Sequence, residues 1–149
     1  MTAAADELAI ATLQDGDVDA VIGLWERCGL TRPWNDPRAD IVLAMRGPNS
    51  TILVGHLVGA LTASVMVGHD GHRGWLYYLA VDPIHQGQGF GREIMSAAED
   101  WLKLRGLLKA ELLVRPDNSK VLSFYESIGY NVEPRIVMTK WLDGRAPTP

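Results

Sequence analysis

The stretch Val81-Asp82-Pro83-Ile84-His85-Gln86-Gly87-Gln88-Gly89-Phe90-Gly91-Arg92 holds the residues with the most to say about chemistry. Three glycines within five residues stand between an apolar run, residues 75–81, and a long helical pattern. The first amides of a helix have no partners inside it and carry the positive end of its dipole. Glycines let that backbone curl and let an anion approach with no Cβ in the way. Strand, glycine turn and helix start together make a cradle for a phosphate or pyrophosphate. A tight helix start without a ligand would need only one glycine.

Two common phosphate motifs fail on spacing. A nucleotide-triphosphate loop requires a Gly-Lys pair, and the chain has none. The dinucleotide fingerprint would accept Gly87 and Gly89, but its third glycine position holds Arg92. Glu111 does stand about 20 residues downstream, where an acidic ribose partner is expected. Dinucleotide oxidoreduction is therefore a rival, weakened by the missing glycine and by hairpins preceding the loop.

Other reactive side chains are less organised. Cys28 is the single cysteine, with nothing nearby in sequence to activate a thiolate, so it reads as a small apolar helix residue. His69, His72 and His85 lack a carboxylate or cysteine pattern, read as turn residues, and leave no metal site expected. Trp25 and Trp34, beside Glu26 and Asp36, could hold an amine by cation–π and charge contacts. A capped helix start with a tryptophan closing the core explains the same residues equally well.

The elements that must position these groups follow from periodicity. Residues 8–13 read as a strand and 18–27 as a helix, with apolar positions at Val18, Val21, Ile22, Leu24 and Trp25. Asp36-Pro37 resembles a cap and first-turn proline opening a helix through about Met45. Residues 51–68 are β-rich with a hairpin turn expected at Gly55-His56, and Asp70 to Gly74 form a second turn. After the central strand and glycine loop comes a helix to Arg105, with an expected buried stripe of Phe90, Ile94, Ala97, Trp101 and Leu104, stopped by Gly106. A strand at 110–114, a helix at 118–128 and a last strand at 136–141 complete the order. Hairpins followed by strand–helix alternation predict an α+β (mixed α/β) fold, a mostly antiparallel sheet with helices on its faces. The chain reads as one domain over 1–149, with mobile ends at 1–6 and 143–149.

Composition sets outer bounds. The 149 residues suffice for one core, and 47% hydrophobic with 21% charged residues is a globular mix. A formal net charge of −4 without a basic cluster argues against nucleic acid and leaves room for a cationic acceptor. No apolar run approaches the ~18–20 residues of a membrane span. The N-terminal residues lack a secretory pattern, so a cytoplasmic location and no membrane partner are expected.

Gln86-Gly87-Gln88-Gly89-Phe90-Gly91 resembles the coenzyme A signature of the Gcn5-related N-acetyltransferases, the GNAT superfamily: Gln or Arg, two residues, Gly, one residue, Gly or Ala. Leu79-Ala80-Val81-Asp82-Pro83 looks like that family's fourth strand and its exit. Asn118 and Tyr125, seven residues apart, look like its later motif. The resemblance spans roughly residues 51–140. Trp25 to Cys28, Arg32 to Pro37 and Asp70 to Gly74 look most like the bacterial YpeA-type branch.

The resemblance implies six to seven strands, a sheet splayed between the fourth and fifth, and about four helices. It implies acetyl-CoA as cofactor and direct attack of a primary amine on its thioester. Backbone groups of Leu79, Ala80 and Val81 would meet the pantetheine arm, and an N–H near Leu79 would polarise the thioester carbonyl. Gln86, Gly87, Gln88, Gly89, Phe90, Gly91 and Arg92 would hold the pyrophosphate. Tyr125 would be the general acid, returning a proton to a thiolate of pKa ~8.5; a core aromatic explains it too, since Val121, Leu122 and Ile128 share its face. Asn118 reads as a cofactor contact, a helix cap, or both. Trp25, Glu26, Trp34, Asp36, Tyr77 and Tyr78 fall where the family builds its acceptor pocket.

No single general base is assigned; Glu26, Asp36, Tyr77 and Tyr78 could serve through water. Relatives that acetylate protein N-termini carry a glutamate at the position of Leu113, and histone-acetylating relatives one at Trp75. The acceptor is thus a small-molecule or peptide amine of open identity, and a homodimer is an expectation from similar proteins. A non-catalytic acyl-CoA sensor is the second rival, which would keep the loop and need no acid.

Overall fold

Apolar runs along residues 50–81, buried on both faces, build the centre of the fold. The computed structural model describes residues 6–148; of the ends expected to be mobile, 1–5 and 149 lie outside the described residues. The chain forms two compact units, the first ending at Leu113 and the second beginning at Val114.

The first unit runs β1 (Leu8–Thr12), α1 (Val18–Arg27), α2 (Pro37–Met45), β2 (Ser50–Leu57), β3 (Ala60–His69), β4 (Gly74–Val81), α3 (Phe90–Leu104) and β5 (Ala110–Glu111). Its sheet has the order β1-β2-β3-β4-β5. The first three pairings are antiparallel and β4–β5 is parallel. The second unit contains α4 (Ser119–Ser127). Four helices and a mostly antiparallel sheet with a parallel junction are the mixed architecture the pattern predicts.

The sheet opens where the resemblance expects it to. β5 pairs with β4 only at Gly74↔Ala110 and Trp75↔Glu111, while β4 continues to Val81. Beyond Trp75 that edge of β4 has no strand partner among the described residues.

Successive residues of a strand face opposite sides, and both sides here are buried. Ile52, Val54 and Ala80 pack with Val21, Leu24, Trp25, Ile41 and Ala44 of α1 and α2. On the other side α3 supplies Phe90, Ile94, Met95, Ala98 and Leu102. Asp36 caps α2 as its sequence predicts, accepting from the N–H groups of Arg38 and Ala39 at 3.0 and 3.2 Å with Pro37 in the first turn. Such a cap contributes about 1 kcal/mol.

Three expectations are corrected. The β2–β3 turn lies at Val58-Gly59, whose φ values of 49° and 79° suit a two-residue turn with positive φ at both positions. Gly55-His56 is instead a register shift within the strand. Glycine is needed there because a Cβ would stand 2.8 Å from the Leu8 side chain. The α3 stripe is rotated, with Met95, Ala98 and Leu102 buried and Leu104 85% exposed. Finally, among the described residues the sheet has five strands rather than six or seven. β5 is two residues long, and residues 136–141 form no strand: β-propensity alone does not supply a ladder partner.

Candidate active site

The glycine loop is pinned at its start. The Asp82 N–H donates to the Thr62 carbonyl at 2.8 Å, and its carboxylate accepts from the Ile84 N–H at 3.2 Å and pairs with Arg27 at 2.9 Å. A 3-10 turn over Pro83–His85 follows. Gly87 and Gly89 then adopt φ of 80° and 86°, a region L side chains avoid. Around both, a Cβ would meet nothing within 4 Å, so the space above the loop is open. The first α-helical bond of α3 runs from the Glu93 N–H to the Gly89 carbonyl at 3.1 Å. The preceding amides, through Phe90, Gly91 and Arg92, therefore have no acceptor within the helix. A concave backbone with several converging N–H groups fits a pyrophosphate.

Val81 and Gln86 close this corner. The Gln86 Nε2 donates to the Val81 carbonyl at 3.2 Å, and the Cys28 thiol donates to the same oxygen at 3.3 Å. Burial first, and then the nearby Asp82 carboxylate, push the Cys28 thiol up; it stands just past α1, at its C-cap, and not within the helix. His85 contacts Phe90 edge-on, and its Nδ1 is buried without a hydrogen-bond partner.

Midway along β4 the register breaks. Ser64 pairs with Ala80 and Met66 with Tyr77, so Tyr78 and Leu79 lie outside the ladder pairs. Tyr78 takes φ 52°. Its ring stacks on Trp25 and its hydroxyl donates to Asp40 Oδ2 at 2.7 Å. Burial, and then Asp40, push its hydroxyl pKa well up. Ser64, fully buried, accepts from the Trp25 indole at 2.9 Å and donates to the Tyr78 carbonyl at 3.4 Å. Ser64 and Asp40 escaped the sequence analysis. A lone serine between apolar strand residues was the available signal.

The expected acceptor-side residues separate. Trp25 is 0% exposed, so it bears on the site only through what packs against it. Asp36 is occupied as the α2 cap, Glu26 is exposed on α1, and Trp34 is half-buried in the connection between the helices. Tyr77 is 45% exposed and lies beside Trp75, the rings 18° from parallel. The pair lines a shallow groove of about 250 Å³ with Met66, His69 and Asp70. Asp70 accepts from the N–H groups of His72 and Arg73 and from the Trp75 indole. These bonds hold its carboxyl at about 2.

In the second unit Asn118 caps α4, accepting from the Val121 N–H at 3.3 Å. Tyr125 meets Phe124 and Tyr130 edge-on. Burial pushes its hydroxyl up to about 12.

A sheet opened beside β4, a break in the β3–β4 register and a glycine turn leading into α3 come together in the first unit. The chain belongs to the acetyltransferase (GNAT) family, whose model matches residues 10–130. It is 42% identical over 135 residues to the acetyltransferase YE1169 of Yersinia enterocolitica, covering 91% of this chain and 96% of that one. Among solved structures it is similar to the aminoglycoside N-acetyltransferase AAC(6')-Iy in complex with CoA, with TM-score 0.82 at 12% identity, covering 95% and 99% of the chains. It is also similar to the ribosomal-protein-S18-alanine N-acetyltransferase of Escherichia coli, with TM-score 0.73 at 25% identity over 93% and 88%. The protein is thus an acetyl-CoA-dependent N-acetyltransferase acting on an amine, and the dinucleotide and non-catalytic readings fall away. No helix among the described residues is long and apolar enough to cross a membrane.

Proposed function

We propose that the protein transfers acetyl directly from acetyl-CoA to a primary amine, using β4 and the glycine loop as the cofactor seat and Tyr125 as general acid. The observation that carries this is the loop itself: the Gln86 to Gly91 signature sits between β4 and α3 with its helix-start amides unspent. When bound, acetyl-CoA supplies an activated thioester. The amides from Gly87 to Arg92 take its pyrophosphate, with Gln86 and Gln88 flanking. Backbone groups of Leu79, Ala80 and Val81 meet the pantetheine arm, with the Val81 carbonyl already engaged by Gln86. The Leu79 N–H would donate to the thioester carbonyl oxygen, where it would favour negative charge. Asn118 caps α4 and keeps Tyr125 in phase with it. The Tyr125 phenol, protonated throughout the physiological range, returns a proton to the leaving thiolate.

On the acceptor side, Tyr77 with Trp75 offers aromatic faces to a cationic amine and Asp70 a carboxylate ionised down to low pH. Glu26 and Trp34 extend that side, while Trp25, Asp36 and Tyr78 shape it from behind. The position of Leu113 and Trp75 where other relatives carry catalytic glutamates supports an acceptor class different from theirs. The segments around Trp25, Arg32 and Asp70 support the YpeA-type branch. The family match crosses the boundary between the two units, which supports one functional domain over 1–149. Cytoplasmic location and a homodimer complete the proposal; sedimentation tests the latter.

Thermal unfolding with acetyl-CoA, coenzyme A, NAD and ATP tests the cofactor seat. Ligand at about 100 times its dissociation constant adds ~2.7 kcal/mol. Stabilisation by the two coenzyme A species alone is expected, followed by thiol release with a panel of amines. Stabilisation by NAD, or by none, would overturn the assignment of the loop.

A further inference from the structure

Tyr78 is held on three sides in a backbone conformation that tyrosine avoids. At φ 52° it lies in the left-handed region, and such strain persists only where the surroundings over-determine it. Its ring lies on the fully buried Trp25, centroids 3.9 Å apart. Its hydroxyl donates to Asp40 Oδ2 at 2.7 Å, and its carbonyl accepts from Ser64 Oγ at 3.4 Å. Ser64 is itself fixed by the Trp25 indole N–H at 2.9 Å. Ring, hydroxyl and carbonyl are thus tied to α1, α2 and β3 in turn.

The consequence falls on the next residue. The Tyr78–Leu79 peptide is trans and planar, so its carbonyl and N–H point in opposite directions. A carbonyl turned toward Ser64 turns the Leu79 N–H away from it. The bulge leaves both residues outside the β3 register, and β5 reaches β4 only at Gly74 and Trp75. We propose that Tyr78, Ser64 and Asp40 are positioning residues that aim the Leu79 N–H at the thioester carbonyl oxygen. The inference rests on the reading of Leu79 as the carbonyl donor. Under it, none of the three residues touches the thioester. They deny the strained peptide the rotation by which it would otherwise relax, and a misdirected donor loses most of its effect. A purely apolar core would require neither a serine buried in β3 nor a carboxylate at the end of the tyrosine.

The test uses the full chain with Tyr78→Phe, Ser64→Ala, Asp40→Asn and Asp40→Ala. Deleting an oxyanion donor outright costs ~10²–10³ in turnover, so misdirecting one is expected to lower kcat about tenfold in Tyr78→Phe. Coenzyme A affinity by calorimetry should stay within about twofold, because binding does not use this donor. Carbon-13-labelled acetyl-CoA gives the decisive readout. Its carbonyl stretch, lowered on binding to the wild type, should return toward the solution value in Tyr78→Phe and Ser64→Ala. Asp40→Asn, whose amide oxygen still accepts, should lose less than Asp40→Ala. A wild-type band position in both Tyr78→Phe and Ser64→Ala would overturn the inference, as would coenzyme A affinity falling in step with kcat. A wild-type protein that binds acetyl-CoA without lowering the band would overturn the reading of Leu79 itself.

Discussion

The phenol ring of Tyr78 lies parallel to the indole of Trp25, with 3.9 Å between centroids and 8° between planes. The pair joins α1 to β4 at the point where the β3 register breaks. Removing the indole leaves a cavity in the core packed by α1 and α2 and takes the donor from Ser64. Trp25→Ala should therefore destabilise the protein by ~3–5 kcal/mol in urea unfolding. Trp25→Phe, which keeps a smaller stacking ring while losing the N–H and part of the indole's volume, should cost clearly less. Equal losses would mean that the Ser64 bond, and not the ring, carries the site.

Gly89 is where backbone conformation and cofactor meet. Its φ of 86° disfavours any side chain, although a Cβ would strike nothing. Gly89→Ala is expected to cost ~1–2 kcal/mol of stability from conformation alone. Gly89→Asp adds a negative charge at a helix start meant for pyrophosphate, and should abolish coenzyme A binding in calorimetry. Retained binding in Gly89→Asp would mean the anion sits elsewhere.

Local chemistry was legible in the sequence, and contacts between elements were not. The glycine loop, the Asp36-Pro37 cap and the bounds of α1 depend on residues adjacent in the chain, and all three appear where expected. The α3 stripe failed because Trp101 and Leu104 are apolar without being buried, so the pattern admitted a neighbouring face. Gly55 reads as a turn because glycine marks both turns and close approach; what distinguishes them is Leu8, more than forty residues away. The β4 bulge left no local trace either. The residues that hold Tyr78 there, Ser64, Asp40 and Trp25, are spread over three elements.

Alkaline pH tests the state of Tyr125. Burial raises its hydroxyl from the ordinary 10.0 to about 12. A folded pKa above the unfolded one means the folded state holds the proton more tightly. The associated stability is present in full below pH ~10 and is lost as pH rises toward ~12. Tyr125→Phe should flatten this part of the stability profile. It should also lower kcat while sparing coenzyme A affinity. Since the acid form persists to high pH, any fall in kcat below pH ~10 must belong to another group.

Acid pH tests the Asp70 turn. Its carboxyl is lowered from 3.8 to about 2, chiefly by the backbone N–H groups of Arg73 and His72. A depressed folded pKa contributes stability above the unfolded value, and that contribution is lost as pH falls from ~4 toward ~2. Asp70→Asn keeps an acceptor oxygen and removes the titration. Its unfolding midpoint should vary less than that of the wild type across this window, measured by circular dichroism. An identical acid profile would show that Asp70 is not held by its turn in solution.

Gly74 and Leu102 set how closely α3 approaches β4. A Cβ on Gly74 would stand 2.5 and 2.7 Å from the two terminal methyls of Leu102, which is 3% exposed. The leucine has little room to turn aside, so the added methyl must push either the side chain off its rotamer or the helix off the sheet. Gly74→Ala should cost ~1–3 kcal/mol by overpacking. Leu102→Ala alone should cost ~2–5 kcal/mol by opening a cavity. In the double variant the new methyl occupies part of that cavity, so the combined loss should fall short of the sum by more than ~0.5 kcal/mol. The same displacement would tilt the helix whose first amides form the cradle. Gly74→Ala should accordingly weaken coenzyme A binding, and Leu102→Ala in the same chain should restore part of it. Strict additivity in both stability and affinity would mean that α3 accommodates the methyl by sliding, with its N-terminus unmoved.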